Sequence, residues 1–554
     1  MNIVAMDTSG PDLELPSTVR KRPTESGARA MMVSLGALHA WIEVGMELDW
    51  RVCSRARLSR DPRFDGKFFI GVVGSMVYCR PICPAPTAKE KNCRYFPTAA
   101  AAAEAGFRPC LRCRPECSPG TPAWLGTSNT VSRALRLIAE SGLEEGGVES
   151  LAERLGIGSR HLRRLFLQHL GATPIAVAQT RRLHFAKKLI DETRLPMGQI
   201  ALASGFGCVR RFNAAIRKVY KRTPTQIRRL VRQKETSSEH QYRFRMNFRP
   251  PYHWESTLSY LAARATPGLE AVENGCYRRT ISLNGGDGYF EVSLDAEQSA
   301  LIARIEFGDS QSLFFIVERI RSMFDLNADW ATIVRTLKAD PTLARAMETD
   351  PGLRVPGSWN GFELAIRAIL GQQVTVTGAT ALAGRLAAKF GKPFVGPHGL
   401  TRLFPTPDVL ADASLSGVGL TGARADTIRA LARAVASGKI NFEGVIDTDT
   451  FLERLCEIPG IGKWTAQYVA MRALREPDAF PSSDLGLLRA LRLKSHRELE
   501  SRAEAWRPWR AYAAMYLWRL GSRSALIAAK ATSAEDEKKI GADVSLPNRD
   551  SIAL

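Results

Sequence analysis

The chain has 554 residues, 45 % of them hydrophobic and 24 % charged, and a formal charge of +21 at pH 7. That length exceeds what one hydrophobic core supports, so three or more domains are expected, and the charge makes nucleic acid the expected partner. Ten cysteines are too few for a disulfide scaffold of this size, and neither a long apolar run nor a signal-type leader occurs, which argues against a secreted or membrane-spanning protein and for a soluble, cytoplasmic, nucleoid-associated one.

Residues 1–45 are mixed in character around Lys21-Arg22-Pro23 and read as a flexible leader. In residues 46–120, Phe68–Val73 and Met76–Tyr78 read as strands leading into Cys79-Arg80-Pro81-Ile82-Cys83, and Ala99–Ala105 as a helix leading into Cys110-Leu111-Arg112-Cys113. Two Cys-x-x-type pairs can present four thiolates tetrahedrally, the arrangement zinc prefers in a closed site. On spacing alone a purely structural zinc knot is the plainer reading; Cys53, Cys93 and Cys117 are left as ordinary thiols. The runs YCRPICPA and GFRPCLRC resemble the N-terminal zinc domain of the Ada adaptive-response regulator. That resemblance implies that Cys79 is both a ligand and a nucleophile taking a methyl group from a methylated DNA phosphate, with Cys83, Cys110 and Cys113 as the other ligands. It also implies that Arg80 and Arg108 meet phosphate.

Ser118–Asn129 reads as a linker. In residues 128–232 an internal repeat follows: Leu151-Ala152 with Gly156-Ile157-Gly158 recurs as Ile200-Ala201 with Gly205-Phe206-Gly207, and Thr173-Pro174 recurs as Thr223-Pro224, a period of roughly fifty residues. Each unit reads as helix, glycine turn and second helix, Ser159–His169 in one and Val209–Tyr220 in the other. Arg160, Arg163, Arg164, Arg210, Arg211 and Arg217 become candidates for base edges or phosphates. The alternative is a merely solvated basic face. Tandem units of this kind resemble the AraC-type DNA-binding domain, which in the Ada regulator follows the zinc domain directly.

Arg232–Gln241 reads as a polar linker. In residues 240–355, Tyr242–Phe248, Cys276–Leu283, Tyr289–Leu294 and Leu301–Phe307 alternate as strands, and Pro250-Pro251-Tyr252-His253-Trp254 opens a helix through Leu261-Ala262-Ala263-Arg264. This part resembles the small domain that opens the AlkA-type 3-methyladenine-DNA glycosylase II. Residues 356–528 then read as a helical domain, in which Ala368-Ile369-Leu370-Gly371-Gln372-Gln373-Val374 matches that family's interdomain segment. The resemblance puts Gln373 at the position wedged into the gap left by a flipped base, polar where the family is apolar and able to hydrogen-bond the orphaned partner base.

The helical domain is organised around Pro459-Gly460-Ile461-Gly462, a helix over Lys463–Leu474, and Asp484 about twenty residues on. Glycines at 460 and 462 let backbone amides approach an anion, and the helix behind them adds its positive end. Alone, such a turn is more often plain punctuation; the whole order resembles the helix-hairpin-helix DNA glycosylases. On that resemblance Gly460, Gly462 and Lys463 grip the DNA backbone, carbonyls of Cys456, Ile458 and Gly460 hold a monovalent cation, and Asp484 is catalytic. Trp464, Tyr468 and Trp518 enclose the damaged base, and Leu485 stands where the family carries an aromatic residue. Singly, each aromatic is as readily core packing. Strand-cutting relatives place an amine two positions after the last hairpin glycine; Trp464 stands there, so a monofunctional enzyme is expected.

The expected fold class is therefore multidomain and mainly α with α+β parts: a small α/β zinc domain, an all-α tandem helix-turn-helix domain, an α+β subdomain and an all-α helix-hairpin-helix domain, with a disordered tail over 529–554. The expected function is excision of alkylated purines by base flipping, fused to a methylphosphotriester-sensing regulator of the alkylation response, the alternative being mainly an activator with a weak or inactive glycosylase module. Zn2+, alkylated double-stranded DNA, promoter DNA and RNA polymerase are the expected cofactor and partners, and the protein is expected to be a monomer.

Overall fold

A computed structural model of the chain describes residues 50–120, 129–141, 147–230, 240–443 and 447–522. The expected leader, the tail from 529, and most of both linkers lie outside the described residues. Among the described residues no helix is long and apolar enough to cross a membrane.

After the helix Trp50–Leu58, the chain forms a four-stranded sheet in the order β3-β1-β2-β4, with β1 Phe69–Val72, β2 Val77–Cys79, β3 Cys93–Phe96 and β4 Arg108–Pro109. β2 and β4 run parallel, with Tyr78 opposite Pro109. Because Cys79 follows Tyr78 and Cys110 follows Pro109, this register is what brings the two cysteine pairs together. Thr98 starts the intervening helix Ala99–Glu104, its hydroxyl accepting from the Ala101 amide.

Each helix-turn-helix unit has the expected glycine turn, with Gly156 and Gly205 at φ of +68° and +73°. The second helices run Ser159–Leu170 and Val209–Tyr220, and the long helix Pro174–Glu192 joins the units. The repeated Thr-Pro pairs are helix starts. Thr173 and Thr223 each cap with the hydroxyl, the proline supplies the first helical residue, and at Thr223 the side chain of Gln226 completes a capping box.

The next sheet is antiparallel throughout, in the order β5-β9-β8-β7-β6. Its strands are β5 Gln241–Asn247, β6 Glu270–Glu273, β7 Cys276–Leu283, β8 Gly286–Asp295 and β9 Ala300–Phe307. β6, at the edge, was not expected from the sequence. The remaining helices enclose a separate core running from Ala328 to Leu517.

The apolar cores cross the boundaries that composition suggests. One combines Phe69, Tyr78 and Phe96 of the zinc domain with Leu151, Leu162 and Phe166 of the first helix-turn-helix unit. A second combines Ile200, Phe212 and Tyr220 of the other unit with Phe244, Phe290 and Ile305 of the five-stranded sheet. Buried charges make a further junction, between the zinc domain and the glycosylase part. Lys67 pairs with Asp329 at 2.5 Å, the two side chains 6 % and 3 % exposed, and Arg249 donates to the carbonyls of Asp65, Gly120 and Asn327. The segment read as a linker from Ser118 is thus anchored at its start, with the Gly120 amide donating to Asn327 Oδ1 at 3.0 Å. Farther on, Glu270, Arg279, Glu363 and Arg367 form a buried four-charge network tying the five-stranded sheet to the helix Gly361–Leu370.

Candidate functional sites

The helix Thr448–Cys456, the turn to Gly462 and the helix Lys463–Arg472 form the hairpin. Gly460 sits at φ +90°, and a Cβ there would lie 2.1 Å from Thr427 Oγ1, so both conformation and space demand glycine. Gly462 caps the second helix without a side chain, leaving the first helical amides for an anion. Pro459, Gly460, Gly462 and Lys463 are all exposed.

Beyond the hairpin helix, Gln467 Oε1 accepts the Phe480 amide at 3.0 Å, and the Asp484 amide donates to the Pro481 carbonyl at 2.9 Å. These bonds bend the chain so that Asp484 caps the helix Leu485–Leu491, its Oδ1 accepting the Leu487 amide at 3.0 Å. The half-buried carboxylate also accepts two indole N–H groups, Trp464 on Oδ2 at 2.9 Å and Trp518 on Oδ1 at 3.0 Å. Tyr468 lies parallel to Trp464 with ring centroids 5.4 Å apart, and 6.3 Å from Trp518. One carboxylate and three aromatic rings are thereby brought into one cage, the carboxylate oriented by the walls themselves.

Leu485 is 62 % exposed and sits at the rim rather than in the cage, because it opens the helix that Asp484 caps. Gln373 is exposed, at φ +55°. Its neighbour Gln372 donates to the Gly460 carbonyl at 2.9 Å and to Thr465 Oγ1 at 3.1 Å, which ties this loop to the hairpin. Sequence reasoning missed Gln372, and also Tyr260 and Arg472, which meet the Tyr468 hydroxyl, and Arg264, which packs on the Tyr260 ring; for Tyr260 and Arg264 the helix start after Pro250-Pro251 was the available signal.

In the zinc domain the sulfurs of Cys79, Cys83, Cys110 and Cys113 all lie within 4.8 Å of one another. Four converging thiols and an Arg80 amide aimed at Cys113 Sγ at 3.4 Å suit a tetrahedral thiophilic ion such as zinc. Cys110 and Cys113 are buried, Cys79 and Cys83 partly open. Arg80 corrects the expectation that it meets phosphate. Its guanidinium is 4 % exposed, pairs with Asp65 and donates to the Cys113 carbonyl at 3.0 Å, so it braces the cysteine loop from within. Arg108 is half-buried. Arg160, Arg163, Arg164, Arg210, Arg211 and Arg217 are all exposed on the two second helices; Arg163 pairs with Glu149 at 2.9 Å.

Four family models match in succession: the metal binding domain of Ada over residues 52–116, a helix-turn-helix domain over 151–230, the AlkA N-terminal domain over 243–360, and the HhH-GPD superfamily of base excision DNA repair proteins over 366–511. The chain is 40 % identical over 481 residues to a Mycobacterium tuberculosis protein described as a probable bifunctional transcriptional activator/DNA repair enzyme AlkA, a match spanning 85 % of this chain and 97 % of that one. The chain belongs to this AlkA family. Its glycosylase half is also 30 % identical to DNA-3-methyladenine glycosylase 2 of Escherichia coli, over 50 % of this chain and 96 % of that one. The front part is 36 % identical to the bifunctional transcriptional activator/DNA repair enzyme Ada of Escherichia coli, over 23 % of this chain and 34 % of that one. The AlkA-type chain is thus a DNA repair glycosylase joined to an Ada-type zinc and helix-turn-helix half. Its cysteine cluster is the metal site of that half, and DNA is its partner.

Proposed function

We propose that this AlkA-type chain removes alkylated purines of the 3-methyladenine kind from double-stranded DNA, with Asp484 as the catalytic residue. The observation that carries the reading is the pair of indole N–H groups holding the Asp484 carboxylate inside an aromatic cage. A purine alkylated on a ring nitrogen carries positive charge, which aromatic faces attract, and extruding a weakly paired base is comparatively cheap. As the C1′–N bond breaks, its electron pair neutralises the purine and the sugar becomes an oxocarbenium ion, which the carboxylate stabilises. Water then adds to C1′ and its proton passes through Asp484 to solvent. No amine stands in the Trp464 position, so the strand is left uncut. Gly460, Gly462 and Lys463 hold the backbone, and Gln373 occupies the gap. A monovalent cation on the carbonyls of Cys456, Ile458 and Gly460 would strengthen that grip.

In the other half, Cys83, Cys110, Cys113 and Cys79 would hold zinc, which when bound keeps the thiols deprotonated. Cys79, one of the two partly open ligands, attacks the methyl carbon of a phosphotriester: an S–C bond forms, the C–O bond breaks and the phosphodiester leaves as an anion. The cluster loses one negative charge, so binding to promoter DNA through Arg160, Arg164, Arg210 and Arg211 tightens and recruits RNA polymerase. Incubating the purified chain with methylated duplex tests both halves. Free 3-methyladenine with an uncut strand and a methyl group on the Cys79 peptide are expected; no released base refutes the first half, and an unmodified Cys79 the second.

A further inference from the structure

Tyr468 links the cage to a polar cluster that joins the two parts of the glycosylase. Tyr260, from the helix Trp254–Ala262, places its hydroxyl 3.3 Å from that of Tyr468. Arg472, one turn beyond Tyr468, donates to the Tyr468 oxygen at 2.8 Å. The Arg472 guanidinium lies 5.1 Å from the Tyr260 ring centroid and 5.6 Å from that of Tyr468, and Arg264 lies 3.9 Å from the Tyr260 ring. Arg472 is immobilised there, its Nε bonded to the Pro356 carbonyl at 2.8 Å and its Nη2 to the Gly357 carbonyl at 3.2 Å.

The hydrogens of this cluster have few places to go. A guanidinium has five donors and no acceptor, so the Tyr468 oxygen must accept from Arg472. A neutral Tyr468 would pass its own proton to the Tyr260 oxygen; with Tyr260 as the donor, the Tyr468 oxygen collects two hydrogens and holds no proton of its own. The buried Arg472 guanidinium meets two carbonyls and this oxygen and, among the described residues, no carboxylate, which favours the second arrangement, a phenolate. The charges facing Tyr468 are Arg472 on its own helix and Arg264 from the opposing domain; Asp484 lies beyond the indoles, and Trp464 and Trp518 carry no charge. Two cations beside a pocket for a cationic base would repel it if the phenol stayed neutral.

We propose that the Tyr260–Tyr468 hydroxyl pair, held by Arg472, is the element that selects charged bases, because it makes the Tyr468 wall of the cage a phenolate. The preference rests on the reading of this site as an alkylated-purine pocket. The phenolate balances the arginines and gives a positively charged base a counter-charge on its own side, while Asp484 serves the sugar. Burial raises the pKa of Tyr468, but Arg472 and then Arg264 outweigh it and bring it down to about 7. Burial pushes Tyr260 the other way, so it keeps its proton and remains the donor.

The test uses the full chain, its Tyr468→Phe variant and its Tyr260→Phe variant. Ultraviolet difference titration should reveal one tyrosine ionising near neutrality in the parent, absent from Tyr468→Phe and shifted upward in Tyr260→Phe. Single-turnover release of 3-methyladenine, followed from about pH 6 to about pH 9, should rise about tenfold through the same ionisation in the parent, stay flat in Tyr468→Phe, and rise at higher pH in Tyr260→Phe. No tyrosine ionising near neutrality, or the same pH profile for the parent and Tyr468→Phe, would overturn the proposal. A parent that shows the ionisation but releases no base at any pH would instead overturn the excision reading, and with it any role of the phenolate in selecting bases.

Discussion

Replacing Lys67 by methionine isolates the junction between the zinc domain and the glycosylase. The Lys67 ammonium and the Asp329 carboxylate meet at 2.5 Å with almost no exposure, and Thr332 Oγ1 donates to the other Asp329 oxygen at 2.7 Å. Lys67→Met keeps the aliphatic stem but leaves a buried carboxylate with a single hydroxyl partner, a change that costs about 3–5 kcal/mol. Lys67→Met/Asp329→Leu removes both charges and should recover most of that loss, since a well-packed apolar pair is often neutral against an ion pair. In a chain of several domains one unfolding midpoint is ill-defined, so hydrogen exchange of the amides of Phe69–Val72 is the better assay. Protection of these amides should fall by roughly a hundredfold or more in the single variant and return in the double one. A single variant that loses less than about 1 kcal/mol of protection would mean that the zinc domain does not dock on the glycosylase through this pair, and the account of a shared body would fail.

Three further outcomes follow from particular contacts. Burial holds the His184 imidazole down to about 4 while its Nε2 shares a hydrogen bond with the Tyr78 hydroxyl at 2.9 Å. The unfolded chain therefore binds this proton first, and the contribution of His184, about 3 kcal/mol, is complete above its unfolded value of 6.5 and lost as pH falls toward 4; the difference in hydrogen-exchange protection of the Pro174–Glu192 helix between the parent and His184→Gln should shrink over that window. Gly460→Ala drives a Cβ into Thr427 Oγ1 and should weaken binding to undamaged duplex about tenfold or more by fluorescence anisotropy, with circular dichroism unchanged. Arg210→Ala/Arg211→Ala should weaken operator binding and lower the slope of log K against log salt by about 2; an unchanged slope would remove that helix from the phosphate backbone.

What the sequence made legible was local. The cysteine spacing, the repeated Thr-Pro pairs, the glycine hairpin and Asp484 each depend on neighbours within a few tens of residues, and their chemistry is written in residue type. What escaped was long-range. Arg80, a basic residue beside a metal ligand, read as a phosphate contact because nothing nearby signals Asp65 as its partner. Tyr260 lies 208 residues from Tyr468, and only the folded chain joins their hydroxyls. The cores shared between the zinc domain and the first helix-turn-helix unit, and between the second unit and the five-stranded sheet, were invisible for the same reason: apolar periodicity marks a buried face without naming what covers it.

In the proposed reaction the Asp484 carboxylate stabilises a sugar cation. At about 4 Å and an effective dielectric constant of about 20, that interaction is worth about 4 kcal/mol, or roughly a thousandfold in rate. Asparagine caps a helix as well as aspartate does, so Asp484→Asn should fold normally while losing the charge. Single-turnover release of 3-methyladenine by this variant is the decisive measurement: a rate about a thousandfold below the parent is expected, and a rate within about tenfold of it would mean that the Asp484 charge does not stabilise the reacting sugar.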